Sequence, residues 1–211
     1  MVSEGNRATF ADDPANADSS APTTSATSRS PSGWPPLLSA ASAGRIVTVG
    51  SFAARSERLD LDDLQSTQDY LPKRTYGRSK LAQMSFGFEL DRRLRAVGST
   101  VLSVVAHPGG ALDSLTPSRP PVHMTTPGEW LRALPAGLLV QGKDAGAWPV
   151  VRAVLDPEVR GGQLWGPKAF GLRGRPRCEP VPSHMADQAV AARLWDASGE
   201  LVGTDPYLGF Q

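Results

Sequence analysis

The sequence predicts an α/β fold built on a doubly wound parallel sheet, and three stretches predict it. Gly44-Arg45-Ile46-Val47-Thr48-Val49-Gly50-Ser51 is a β-branched run ending in small residues, the pattern of a buried strand that delivers a serine at its carboxyl end. Thr100-Val101-Leu102-Ser103-Val104-Val105-Ala106-His107-Pro108-Gly109-Gly110 is a second such run, closing on a Pro-Gly turn. Between them, from about Tyr76 to Val97, lies the longest amphipathic helix in the sequence. Strand, helix and strand in that order make a parallel pair joined by a crossover helix.

The helix opens with Thr75-Tyr76-Gly77-Arg78-Ser79-Lys80-Leu81. Tyr76 and Lys80, four residues apart, share one helical face and are separated by about 40° around the axis. A phenol titrates near 10, so a tyrosine that must pass a proton near neutral pH needs a neighbouring ammonium to favour its phenolate. Farther along, Leu81, Met84 and Phe88 form one apolar stripe and Phe86, Leu90, Leu94 and Val97 a second, roughly opposite and nearer Tyr76 and Lys80. A helix apolar on two faces sits between two layers, here the sheet and either a second helix or a second subunit, and Gly98 ends it.

A strand ending in Ser, a helix opening with Tyr-x-x-x-Lys and a strand ending in Pro-Gly, in that order, resemble the short-chain dehydrogenase/reductase family. His107-Pro108-Gly109-Gly110 and Arg160-Gly161-Gly162-Gln163-Leu164-Trp165-Gly166-Pro167 are similar to stretches of actinobacterial oxidoreductases close to retinol dehydrogenases. The resemblance runs from about Pro36 to about Val202 and includes the Asp62-Asp63-Leu64 element of the polar connection Phe52 to Arg74. It implies a Rossmann-like sheet, of which this chain carries the carboxyl-terminal half, and NAD- or NADP-dependent interconversion of an alcohol and a carbonyl.

The same resemblance implies the site. Tyr76 would be the acid or base at the substrate oxygen, Lys80 would lower its pKa and bond the nicotinamide ribose, and Ser51, 25 residues before Tyr76, would polarise the substrate oxygen. Pro108 and Gly109 would set backbone groups beside the nicotinamide carboxamide. Where relatives usually carry Thr five residues after that Pro, this chain has Asp113, whose charge would repel a pyrophosphate. A hydrolase built on Ser51, His107 and an Asp is disfavoured, since Gly50-Ser51-Phe52-Ala53 lacks the G-x-S-x-G elbow. No metal site is expected.

The dinucleotide half is harder to find. No G-x-x-x-G-x-G or G-x-G-x-x-G turn occurs in the chain, nor an Asn-Asn-Ala-Gly strand end, so cofactor binding is doubtful and a non-catalytic fragment or interaction protein is the rival expectation. Residues 1–34, rich in Ser, Thr, Ala, Asp and Pro, read as disordered, and 35–211 as a partial dehydrogenase domain. Ser19 to Pro31 is also what the family string Gln-Phe-Gly-Thr-Asn-His-Leu-Gly-His-Phe-Ala-Leu-Thr becomes when GC-rich codons for it are read one base later. The segment is therefore expected to be frame-shifted. Pro35 to Ala43 reads as the tail of a helix or a linker.

Beyond the Pro-Gly turn, Ala111 to Pro127 is expected to be a substrate-covering loop. Glu129 to Val140 and Asp144 to Leu155 read as helices, the second with Asp144 as N-cap, Gly162 to Pro167 as the last strand and its turn, and Ala189 to Val202 as a final helix with Leu194, Trp195 and Leu201 apolar. Over 211 residues, 22 basic and 21 acidic groups leave a net charge of +1, and the arginines form no basic stripe, so nucleic acid is not an expected partner. The single Cys178 and the lack of a bilayer-spanning apolar run or signal-peptide core predict a soluble cytoplasmic protein without a membrane partner. The expected partner is a small alcohol or carbonyl, and a homo-oligomer is compatible with the two-faced helix.

Overall fold

The computed structural model describes residues 34–202 apart from 69, 121 and 122. The expectations for the first 33 residues lie outside the described residues, while Trp34 opens helix α1 (Trp34–Ala40). Strand β1 (Arg45–Val49) follows, then a 3-10 helix (Phe52–Ser56), helix α2 (Pro72–Ala96) and strand β2 (Leu102–Ala106). The remaining elements are β3 (Ala111–Leu112), α3 (Pro127–Ala133), β4 (Gln141–Gly142), α4 (Lys143–Leu155), β5 (Leu164–Ala169), β6 (Arg173–Glu179) and α5 (Gln188–Val202).

The main sheet has the order β1-β2-β5-β6. β1 runs parallel to β2, with Arg45 opposite Leu102 and Val49 opposite Ala106, and β2 parallel to β5, with Val105 opposite Leu164. β3 and β4 form a separate two-stranded parallel ladder. Helices cover both faces. Val105 points into a cluster with Leu81, Met84, Leu164 and Met185, while its neighbours Val104 and Ala106 point the other way onto Ala153 of α4, Val159 and Trp165. Alternation along one strand therefore sorts α2 to one face and α4 to the other, as a doubly wound sheet requires.

The two stripes of α2 have separate partners. Leu81 and Met84, with Phe88 beside them, meet the sheet, whereas Phe86, Leu90 and Leu94 pack with Val101 and with Trp195 of α5, whose ring stacks on Phe86 at 4.4 Å. The second layer is thus a helix of the same chain. Fully burying side chains such as Leu81, Met84 and Leu94 contributes about 1.5–3 kcal/mol each. Val97 does not join the stripe. It is half exposed, because the helix has ended at Ala96 and Gly98 adopts a φ of 70°, letting Ser99 N donate to Leu94 O at 3.0 Å.

Several expectations are corrected. α2 begins at Pro72, four residues before Tyr76, with Pro at its first position where a missing N–H costs nothing. The helix expected over Glu129 to Val140 ends at Ala133, since Pro135 has no N–H to offer Leu131; its start is fixed by a capping box between Thr126 and Glu129. The N-cap of α4 is Gly142, and Asp144 lies within its first turn. Leu201 is half exposed. Gly162 to Pro167 is not the last strand. β5 continues to Ala169, turns through Phe170 and Gly171 at positive φ, and returns as β6 antiparallel to itself. Arg173-Gly174-Arg175-Pro176-Arg177-Cys178-Glu179 hid that strand, since arginines and a proline suit only a solvent-facing edge. Among the described residues no helix is long and apolar enough to cross a membrane, and no cluster of His, Cys, Asp and Glu is placed to hold a metal.

Candidate active site

In a parallel sheet every strand ends on the same edge, and ligands bind in the crevice beyond it. The carboxyl ends of β1 and β2 lie side by side there: Gly50 N donates to Ala106 O at 2.8 Å, so Ser51 and His107 leave the sheet as neighbours. Ser51 does not continue the strand. It caps the 3-10 helix, its Oγ accepting from Ala53 N at 3.2 Å, an arrangement that leaves the hydroxyl hydrogen free to donate.

Helix α2 reaches this edge with its first turns. A Cβ on Gly77 would lie 2.6 Å from Glu57 Cγ and 3.1 Å from Ala53 O, so glycine lets the helix pack against the turn that starts at Ser51 without displacing either. Tyr76, next to that contact, is 51% exposed. Lys80 Nζ lies 6.0 Å from the Tyr76 ring centroid and donates to Val49 O at 3.4 Å and to Gln83 Oε1 at 3.2 Å. The ammonium thus bridges α2 and the end of β1. Sequence reasoning passed over Gln83, although its position three residues after Lys80 puts it on the same face.

The His107-Pro108-Gly109-Gly110 turn is built from its interior. Gly109, at φ 73°, donates its N–H to His107 Nδ1 at 3.2 Å, and Pro108 O accepts from Gln141 Nε2 at 3.2 Å. A Cβ on Gly109 would meet Leu172 O at 2.6 Å and Pro167 Cγ at 2.8 Å. Because the Gly109 N–H is taken by the histidine, this turn can offer a ligand carbonyl lone pairs but not that donor. His107 is buried, and its Nε2 lies 3.0 Å from Glu179 Oε2. Both ring nitrogens are therefore engaged away from Ser51, and the hydrolase alternative loses its base.

The Arg160 to Pro167 stretch acquires a physical account. A Cβ on Gly161 would sit 1.8 Å from Asp91 Oδ1, and one on Gly166 2.4 Å from His107 Nε2. The segment is the bed on which the buried carboxylate of α2 and the histidine of the Pro-Gly turn rest. Asp113, expected to repel a pyrophosphate, opens a short 3-10 helix and pairs with Lys143 Nζ at 2.8 Å, so part of its charge is compensated, weakly, in an exposed pair. Glu179, which sequence reasoning missed, had no local signal, since only the return of β6 brings it to the edge.

No family model matches the chain. It is 31% identical over 160 residues to human polyprenol dehydrogenase, covering 75% of this chain and 45% of that protein. To human retinol dehydrogenase 13 it is 32% identical over 169 residues, 80% of this chain and 48% of that one. Bovine dehydrogenase/reductase SDR family member 13 is 35% identical over 178 residues, 81% and 43% of the two chains. A crystal structure of an uncharacterized protein from Mycobacterium paratuberculosis superposes with a TM-score of 0.58 at 31% identity, over 76% of this chain and 51% of that one. The chain spans about half the length of the curated relatives it matches. Dehydrogenases matched at 31–35% identity across three quarters or more of this chain, together with its doubly wound sheet, show its membership: it belongs to the short-chain dehydrogenase/reductase family.

Proposed function

We propose that the chain interconverts an alcohol and a carbonyl with a nicotinamide dinucleotide, NAD or NADP, at the carboxyl edge of β1 and β2. The observation that carries this reading is the placement of Tyr76 and Lys80 one turn apart, with the Lys80 ammonium spanning from the Tyr76 ring to the end of β1. When bound, a reduced nicotinamide would be held by Lys80 at its ribose and by the Pro108 and Gly109 carbonyls at its carboxamide, and would supply the hydride for the carbonyl carbon. Tyr76 Oη gives its proton to the carbonyl oxygen, and the Lys80 ammonium stabilises the phenolate left behind. Ser51 donates its hydroxyl hydrogen to the same oxygen and polarises it. In the reverse direction the phenolate takes the alcohol proton.

The residues present fit the nicotinamide end of such a cofactor. Lys80 has donors for the ribose, and the Pro108 and Gly109 carbonyls are acceptors for the carboxamide. They do not supply a Gly-rich turn for the pyrophosphate, so a second reading, binding or scaffolding without turnover, has an observation of its own. On either reading the affinity of this chain for the dinucleotide is expected to be weaker than ~1 mM, or about 4 kcal/mol of binding free energy. Calorimetry that finds micromolar binding would refute it.

Relatives named for polyprenol and retinol favour an apolar alcohol or its aldehyde as substrate. Supporting this, α3 and the turn after it expose Trp130, Leu131, Leu138 and Leu139, and this segment leads back to the Pro-Gly turn, where Gly110 packs on Val140. The test is reduction of a long isoprenoid aldehyde and of a short aliphatic aldehyde at millimolar NADPH. Faster turnover of the isoprenoid, abolished in Tyr76→Phe, supports the reading; no turnover of either leaves the scaffolding role.

A further inference from the structure

Glu179 closes β6, far in sequence from Ser51 and from the Pro-Gly turn, yet its carboxylate stands between them. Its Oε2 receives Arg55, which lies on the 3-10 helix capped by Ser51, and lies 3.0 Å from His107 Nε2, next to Pro108. The Gly109 N–H points at His107 Nδ1, so Nδ1 is the acceptor and Nε2 carries the hydrogen donated to Glu179. Space for the carboxylate is reserved by two glycines. A Cβ on Gly166 would lie 2.9 Å from Glu179 Oε1 and one on Gly171 3.3 Å from it. Arg55 in turn covers the Phe52 ring at 5.3 Å, and that ring tilts against His107 at 6.4 Å. The His107 side chain is 1% exposed and that of Glu179 9%, so little solvent competes for these bonds.

We propose that Glu179 is a positioning residue: through Arg55 on one side and His107 on the other, it holds the Ser51 turn and the Pro108-Gly109 turn in a single arrangement. The proposal rests on the reading of these two turns as site segments. The alternative is an ion pair that stabilises the fold without coupling the turns.

The test uses the full chain, labelled with 15N, and does not need turnover. Arg55→Met cuts only the arm to the 3-10 helix, and since Arg55 is partly exposed the variant is expected to fold. Local effects at Ala53 are trivial, but the Gly109 amide lies beyond Glu179 and His107. Its resonance is expected to shift in Arg55→Met and to shift further in Glu179→Ala, with the His107 ring losing its uniform Nε2–H tautomer in the latter. Glu179→Gln, which keeps an acceptor oxygen, should restore part of both. A Gly109 amide unmoved in folded Arg55→Met overturns the proposal, as does an equal shift in Trp195→Phe, a control in the α5 contact. Where turnover is measurable, Glu179→Ala should lower kcat at least about tenfold while leaving the carbonyl KM within about twofold, as misplacement of reacting groups does. Tyr76→Phe separates the two ideas, because retained turnover there removes the active-site reading and leaves the Gly109 result standing.

Discussion

The two ends of α2 are built on opposite principles. At its amino-terminal end Tyr76 is half exposed and Lys80 is held by long contacts to a carbonyl and an amide. Toward its carboxyl-terminal end two carboxylates are sunk into the protein. Glu89 accepts two bonds from Arg92, at 2.7 and 2.6 Å, and one from Arg93 at 2.7 Å. Asp91 accepts from Arg95 Nε at 2.7 Å and from Ser103 N at 3.4 Å, under the lid of Gly161 and Gly162. Charge is thus buried and multiply bonded where the helix is anchored, whereas Tyr76 and Lys80 are partly open to solvent where chemistry is proposed. The anchoring of the far end keeps the near end in place.

The sharpest break of this contrast is at the near end. Tyr76→Phe keeps the ring and loses the transferable proton, and kcat of any carbonyl reduction should fall about 10²- to 10⁴-fold with the melting temperature nearly unchanged. Asp91→Ala attacks the far end instead. Because the Arg95 side chain is two-thirds exposed, its ion pair counts for little; the buried Ser103 N–H left without an acceptor costs about 1–3 kcal/mol, read by denaturant unfolding. Gly77→Ala should be milder. The Glu57 side chain can swing away, but Ala53 O at 3.1 Å is backbone and must yield by tenths of an ångström, so kcat should drop about tenfold or less with little loss of stability.

The smallest effect is one that varies with pH. Burial pushes the Glu89 carboxyl up, but the Arg92 and Arg93 bonds outweigh it and hold it below the usual glutamate range. A carboxyl depressed in the folded state stabilises above its unfolded pKa of about 4.3 and loses that contribution as pH falls toward its folded value. Glu89→Gln should therefore lower stability at neutral pH and flatten its decline below about pH 4.3. Parallel melting curves of the two proteins from pH 6 to pH 3 would show Glu89 to be as weakly coupled as a surface carboxylate.

What the residues alone determined follows from local physics. β-branched runs, a 3.6-residue period, a glycine stop at Gly98 and the one-turn spacing of Tyr76 and Lys80 are properties of neighbouring residues, and the structure holds all four, with the helix starting four residues earlier and leaving Val97 outside it. The order of the elements then sufficed for the parallel part of the sheet, β1, β2 and β5. Tertiary structure alone decided what depended on partners far away in the chain. The strand Arg173 to Glu179 carries no apolar period, because an edge strand is chosen by pairing with β5 rather than by burial. For the same reason Glu179 could not be assigned from its neighbours. Its partners Arg55 and His107 are 124 and 72 residues away in the chain, and a carboxylate's role is set by what surrounds it, which only the closing of the sheet supplies.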